Sequence, residues 1–314
     1  MVLFALKRIV SGVALLIVVS IATFFLAHLA TPDPTVPLLG ATATDAQREA
    51  LALRIGTNRP IPVQLWDWLS HAITGNLGLS WRNSQPVNDQ LALKFPVTLS
   101  VVVFATVLSA VFGTLFGLAS GLRPGSILDR ILSWGSIILY ALPGFWLSFI
   151  LITWFALDLG WFPAIGYIDP SQSILGWLES ITLPAVSLAL GAIVMIAEQL
   201  RNAIVLNAEK DYIRTLRSRG LTSGRVALHL LRNSAPEALT ILAVLFVGLL
   251  SGAVVVETIF ALPGIGVLTN SASQTGDIPI VLGITVVSVV FVVIVNAVLD
   301  LILAWLNPKV RASL

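Results

Sequence analysis

Apolar residues fall in long uncharged windows at positions 9–27, 95–122, 131–157, 180–197, 238–256 and 278–299, the fourth continuing past Glu198 to position 206. A helix rises about 1.5 Å per residue and a bilayer's hydrocarbon is roughly 30 Å thick, so each window can cross it. The pattern predicts six transmembrane helices. A seventh uncharged window, 258–276, is long enough but carries Pro263, Gly264, Gly266, Asn270, Ser271, Ser273, Gln274 and Thr275. It is expected to form a loop or shallow re-entrant turn, buried in protein wherever it enters the membrane.

Composition agrees with the pattern. Of 314 residues, 57% are hydrophobic and 11% charged, and the mean hydropathy is +0.94. A soluble globule, whose surface needs about a quarter of its residues charged, is excluded. Lys7 and Arg8 before the first window resemble the charged start of a secretory signal. The uncharged run exceeds the roughly 7–15 residues of a signal core, so the segment is expected to stay as a membrane helix. Cysteine is absent, and His28, His71 and His229 are too scattered for a metal site.

Charge sets an orientation. With six spans and the N-terminus inside, thirteen of the 18 basic residues fall on inside segments: Lys7, Arg8, Arg123, Arg130, Arg201, Lys210, Arg214, Arg217, Arg219, Arg225, Arg232, Lys309 and Arg311. The other five, Arg48, Arg54, Arg59, Arg82 and Lys94, share one long outer segment, where length weakens the rule. The later outer loops hold Asp158, Asp169, Glu179 and Asp277 and no Lys or Arg. A multi-pass cell-membrane protein with both termini cytoplasmic is expected.

The organisation that follows is a first helix at 1–30, an exterior subdomain at 31–94, helices two to six across 95–306, and a cytoplasmic tail at 307–314. In the exterior segment Thr44 and Gln47 stand at capping-box spacing ahead of a short helix through Ile55. Pro62 can open a second helix with Trp66, Leu69 and Ile73 on one stripe. This subdomain can serve as a docking surface for an external solute-binding protein or as a lid packed on the bundle.

Within the spans, Gly113, Gly117 and Gly121 form a ridge without side chains for close helix approach, and Gly248 with Gly252 repeats the spacing. Pro143 is expected to kink the third span at Ala141-Leu142-Pro143-Gly144. Ionisable groups near membrane depth are Glu198 and Arg201, three residues apart and able to pair, Glu257 after the fifth span, and Asp300 in the sixth. Lone charges at that depth mark functional candidates. Glu257, Pro263, Gly264 and Asp300 are therefore candidates for a pathway or gate.

The exception to the apolar chain is a basic island at 207–236. Tyr212, Ile213 and Leu216 make an apolar stripe, and Lys210, Arg214 and Arg217 make a basic one at i, i+4 and i+7. Gly220 stands where a helix C-terminal cap is wanted. Thr222 can start a second helix bearing Val226, Ala227, Leu230 and Leu231, which positions 233–236 are expected to break before the fifth span. Lipid binding alone would account for the charge. It does not account for a glycine-centred turn between two patterned helices, which points to a protein-docking hairpin.

These residues resemble the permease subunits of binding-protein-dependent ABC importers, in the peptide and nickel branch. The island is similar to that branch's signature through DYIRT at 211–215, RGL at 219–221, and LRN at 231–233 ahead of Pro236. Further matches are LATPDP at 29–34, RPIPVQ at 59–64, GNLG at 75–78, GWFP at 160–163 and VVVETIFALPGIG at 254–266. The wider superfamily has Glu-Ala-Ala before the glycine and Leu-Pro after it, where this chain has Arg214-Thr215-Leu216 and Arg232-Asn233.

The resemblance implies an all-α, six-helix, type I importer permease. It implies that Asp211, Tyr212, Arg214, Thr215, Arg217, Arg219, Gly220, Leu221, Arg232 and Asn233 belong to a coupling helix seated in an ATPase cleft. It also implies a second homologous permease, two ATPase subunits or domains that bind ATP and Mg, and an external solute-binding protein. The chain itself has no phosphate-binding loop: its four lysines, Lys7, Lys94, Lys210 and Lys309, follow Leu, Leu, Glu and Pro rather than glycine. No cofactor, metal or nucleic acid is expected here, and di- or oligopeptides are the expected cargo. The alternatives are a nickel or other metal-chelate permease of the same branch and an intramembrane enzyme. The last lacks any convergent pair of catalytic groups.

Overall fold

A computed structural model describes residues 2–306, and the tail expected at 307–314 lies outside the described residues. Among the described residues the chain is helical, with an isolated bridge between Leu79 and Pro86. Five helices are long and apolar enough to cross a membrane: α1 (Val2–Ala30), α5 (Val87–Leu122), α8 (Ile174–Ala208), α10 (Ser223–Ile259) and α12 (Ile278–Leu306). A bent pair, α6 (Ile127–Ala141) and α7 (Gly144–Leu151) with a π-helical turn at Ile152–Asp158, makes a sixth when the two are taken as one span. At Leu142 and Pro143, where a kink is expected, the chain bends by 107°. Leu142 stands in extended conformation before the proline, whose ring disfavours the helical region for the residue it follows.

The helices form two compact units. One comprises the chain up to Thr98 with Pro263–Ile294; the other comprises Leu99–Leu262 and the chain from Val295 on.

In the first unit, α2 (Thr35–Leu39) and α3 (Asp45–Ile55) follow α1. The expected capping box is present: the Gln47 amide donates to Thr44 Oγ1, and the Thr44 amide donates to Gln47 Oε1. α4 (Ile61–Ile73) has Pro62 in its first turn, where a missing N–H costs nothing. Leu65 and Trp68 of α4 pack on Phe24, Ile278 and Leu282, and Ala72 packs on the cluster of Leu77, Val87, Leu91 and Ile280. α5 begins at Val87, ahead of its uncharged window, because Val87 and Leu91 are already core residues.

The window at 258–276 is largely helix rather than loop, with α11 at Ile265–Thr275. Its polar side chains bond both within the helix and to the exterior loop: Asn270 Oδ1 accepts from Gln274 Nε2, and Ser271 Oγ accepts from Arg82 Nη1. Thr269 and Thr275 hydroxyls donate to carbonyls four residues back, while Thr98 Oγ1 accepts the Ile265 amide at the helix start. Composition disfavoured a helix here, and tertiary contact overrides it.

Asp277, between α11 and α12, holds the exterior loop. Its carboxylate is 3% exposed and accepts from the Ser80 hydroxyl and the Trp81 and Arg82 amides. Asp277→Ala removes three acceptor contacts at once, and a hydrogen bond to a charged acceptor contributes about 1.5–3 kcal/mol net of the exchange with water. We expect trypsin to cut at Arg82 markedly faster in this variant in membrane vesicles, with Asp277→Asn intermediate. Unchanged cleavage in both would refute the assignment.

In the second unit, α8 lies against α5, α7 and α10. The glycine ridge of α5 meets α8 as expected: a Cβ on Gly113 would sit 2.7 Å from Ile196 Cβ, and one on Gly121 2.9 Å from Ile204 Cβ. The repeat on α10 does not behave alike. Nothing stands within 4 Å of a Cβ on Gly248, and Gly252 meets only the end of the Leu188 side chain. Ser148 of α7 and Ser187 of α8 share a buried hydrogen bond of 2.6 Å.

Arg201 of α8 pairs with Asp129 of α6, and the charge of Glu198, three residues before it, also acts on the guanidinium. Arg201 Nε lies 2.6 Å from Asp129 Oδ1, and Nη2 lies 3.0 Å from Oδ2. The same carboxylate accepts the Gly125 amide, so it ties the Arg123–Ser126 turn to α8.

Candidate functional site

The island at 207–236 folds as a hairpin. After α8 ends at Ala208, Lys210 adopts an extended conformation and α9 runs from Asp211 to Ser218. Asp211 lies in its first turn and Arg217 in its last, the placement that complements the helix dipole. Gly220 has φ +76°, the left-handed conformation expected from its place after the helix, and the Leu221 amide donates to Leu216 O across the turn. Thr222 is the residue before α10, although its side chain makes no capping bond.

The expected break at 233–236 is absent, and α10 is one helix of 37 residues carrying Pro236 inside it. Proline removes one backbone donor and crowds the carbonyl four residues back, a penalty of about 3 kcal/mol in an isolated helix. Packing on both sides of it holds the helix together. Val226, Leu230, Ala238 and Leu242 of α10 share a buried cluster with Ile196, Leu200 and Ile204 of α8. The hairpin's second helix and the fifth span are therefore a single rod, about 55 Å long by its helical rise.

α9 is rooted in this cluster through Ile213, which is fully buried, while Tyr212, Leu216 and Leu221 pack around it. Sequence reasoning missed the polar lock beneath. Asn207, 6% exposed, accepts from Lys210 Nζ at 2.6 Å and donates to Ser234 Oγ of α10 at 2.9 Å. The one legible signal was an amide opposite a serine within otherwise apolar helix faces. Asn233 Nδ2 donates to Tyr212 Oη and to His229 O, so two of the expected docking residues instead brace α9 against α10.

The remaining expected residues are on the surface. Asp211, Arg214, Thr215, Arg217, Arg219, Gly220 and Arg232 are exposed, and Leu221 is half-buried. Arg214 and Asp211 approach to 3.9 Å, an exposed contact worth at most a few tenths of a kcal/mol. Arg214, Arg217 and Arg219 thus form a basic tip on a rigid base.

The expected pathway residues lie at the end of α10, in the turn after it and on α12. Glu257 is 0% exposed in the last turn of α10, and its carbonyl accepts the Leu262 amide. Ala261, between them, has φ +50°, a conformation that costs a non-glycine residue about 1–2 kcal/mol. Pro263 is exposed, and Gly264 is the residue before α11. Asp300 is half-buried on α12. Among the described residues no cluster of three or more metal-ligating side chains occurs.

Known proteins resemble this chain along its length. It is 34% identical over 307 residues, 98% of each chain, to a protein of Brucella abortus (strain 2308) named for a peptide transport system permease. The oligopeptide transport system permease protein AppB of Bacillus subtilis (strain 168) is 31% identical over 312 residues, covering 98% of this chain and 99% of that protein. A solved structure of the MetNI methionine ABC transporter, inward facing in a selenomethionine-soaked crystal form, gives a TM-score of 0.51 at 20% identity, covering 69% of this chain and 96% of that one. That likeness bears on the fold alone, which is the all-α permease fold expected. Residues 1–102 match the family model for the N-terminal part of binding-protein-dependent transport system membrane components, and residues 113–312 match the model described as binding-protein-dependent transport system inner membrane component. A hairpin braced by membrane-length helices and matches across the whole chain lead to one assignment: the protein belongs to the family of binding-protein-dependent transport system inner membrane components.

Proposed function

We propose that this chain is the permease subunit of an ATP-driven importer of di- or oligopeptides and forms half of its translocation pathway. It pairs with a second homologous permease, two ATPase subunits and an external solute-binding protein. The names of its relatives, peptide, oligopeptide and di/tripeptide permeases, support the cargo class. Both termini and the hairpin lie on the cytoplasmic side, in keeping with the thirteen basic residues of the inside segments.

The observation that carries the reading is mechanical. An exposed basic tip, Arg214 to Gly220, stands on a buried base that continues without a break into α8 and α10. Closure of the ATPase pair around ATP moves the tip, and the rods carry that motion to the spans as a rigid body, exposing the pathway to one side at a time. ATP and Mg stay with the partner subunits, and no covalent step falls to this chain.

The chain contains no cysteine, so single Cys residues at positions 217–224 report cleanly. We expect labelling only from the cytoplasmic side, cross-linking to an ATPase subunit, and uptake of a labelled dipeptide that is lost when Gly220→Val distorts the turn. Labelling from outside would overturn the orientation. Labelling without any cross-link would reduce the hairpin to a lipid-binding loop, and uptake of a nickel chelate in place of peptide would move the cargo to the alternative.

A further inference from the structure

α4 has three faces, and the fold explains two of them. Leu65, Trp68 and Ala72 pack on the clusters at the ends of α1 and α12. Gln64, Asp67 and His71 face a cavity of about 350 Å³ in the same unit. The third face is formed by Trp66 and Ile73, seven residues apart, and it points away from the protein: Trp66 is 72% exposed and Ile73 85%. Leu69 lies between them at helical spacing, and no charged side chain shares this face.

The depth of α4 indicates what covers it. Its inner face touches Phe24, six residues before the end of α1, and Leu282, four residues after the start of α12. At the helical rise those contacts lie about 9 Å and 6 Å below the helix ends. A helix reaching them sits beside the outermost turns of two membrane spans, not in the water above. The side of α1 turned away from α4 is apolar and open, with Leu26 63% and Leu29 77% exposed.

We propose that α4 is an interfacial membrane helix whose Trp66–Ile73 face lies in the lipid leaflet that also bathes the open side of α1. An amphipathic helix beds its apolar face at the boundary between headgroups and acyl chains, and the tryptophan ring suits that boundary, being apolar in body with one polar N–H. The inference rests on α1 and α12 being membrane spans. It gives the exterior segment a lipid anchor, distinct from both a docking surface and a packed lid.

The cysteine-free chain allows a direct test in the assembled transporter, with cysteine-free partner subunits, reconstituted in phospholipid vesicles. Nitroxides are attached at Trp66→Cys, Ile73→Cys and Val63→Cys, with Leu26→Cys as the hydrocarbon reference and Glu49→Cys as the aqueous one. We expect collision with oxygen to exceed collision with a water-soluble nickel chelate at positions 66 and 73, approaching the Leu26 reference. Chelate access equal to that at position 49 would overturn the proposal. So would low access to both reagents, with or without the solute-binding protein, because protein would then cover the face. Two label sites on the same face keep the test decisive if one variant fails to assemble.

Discussion

Gly117→Val is expected to abolish accumulation of folded protein, and Gly117→Ala to lower it severely. A Cβ at this position would lie 2.7 Å from the Ala197 carbonyl oxygen and 2.9 Å from Leu200 Cβ, and the nearer of these is backbone that no rotamer change can move. α5 would have to back away from α8, opening the contacts at Gly113 and Gly121 that share the ridge. Overpacking a close interface costs about 1–3 kcal/mol for a methyl group and more for a branched side chain, against a total stability of the order of 5–15 kcal/mol. Gly248→Ala is the matched control. Its Cβ meets nothing within 4 Å in this chain, and a helical glycine is about 1 kcal/mol poorer than alanine. We therefore expect Gly248→Ala to match or exceed the parent in thermal stability in detergent, and equal damage from both alanine variants would show that the ridge is not what holds these helices together.

The second large effect concerns Asp129 and Arg201. Removing the guanidinium by Arg201→Ala strands a carboxylate that is 6% exposed, while the Arg123–Ser126 turn loses its tie to α8. Removing one partner of a buried pair costs about 3–5 kcal/mol, and because Arg201 is partly exposed we expect about 2–3 kcal/mol here. The double variant Arg201→Ala/Asp129→Ala should lose less than the sum of the single variants, giving a coupling energy of about 1–2 kcal/mol in a double-mutant cycle. The charge swap Arg201→Asp/Asp129→Arg should fail to restore stability, since the Gly125 amide would then face a cation. Strictly additive single effects would show that the pair is incidental.

How much of this was legible differs from element to element. The capping box of Thr44 and Gln47 and the left-handed turn at Gly220 are each set by residues within a few positions of one another, and both formed where expected. Pro143 announced a break but not its size. Pro236 announced one that does not exist, because the apolar residues on either side of it pack on α8 and outweigh the lost hydrogen bond. The segment at 265–275 had the composition of a loop and became a helix once Thr98 and the surrounding core received it.

In the hairpin, the exposed basic residues and the apolar stripes were readable as patterns, and the polar pairs that lock it and tie α6 to α8 were not. Asn207 and Ser234 are 27 positions apart, and Asp129 and Arg201 are 72 apart. Many polar pairs could have been drawn at such separations.

By itself the sequence determined the membrane class, the six apolar windows, the hairpin and its turn, since these depend on hydrophobic period, charge spacing and local backbone chemistry within one or two helical turns. Tertiary structure alone decided which glycine ridge is used, which acid meets Arg201, that α10 runs unbroken from the hairpin into its span, and that one face of α4 is left open. Those outcomes depend on which distant surfaces meet at a few ångströms, and close packing and the pairing of buried charge are decided only there.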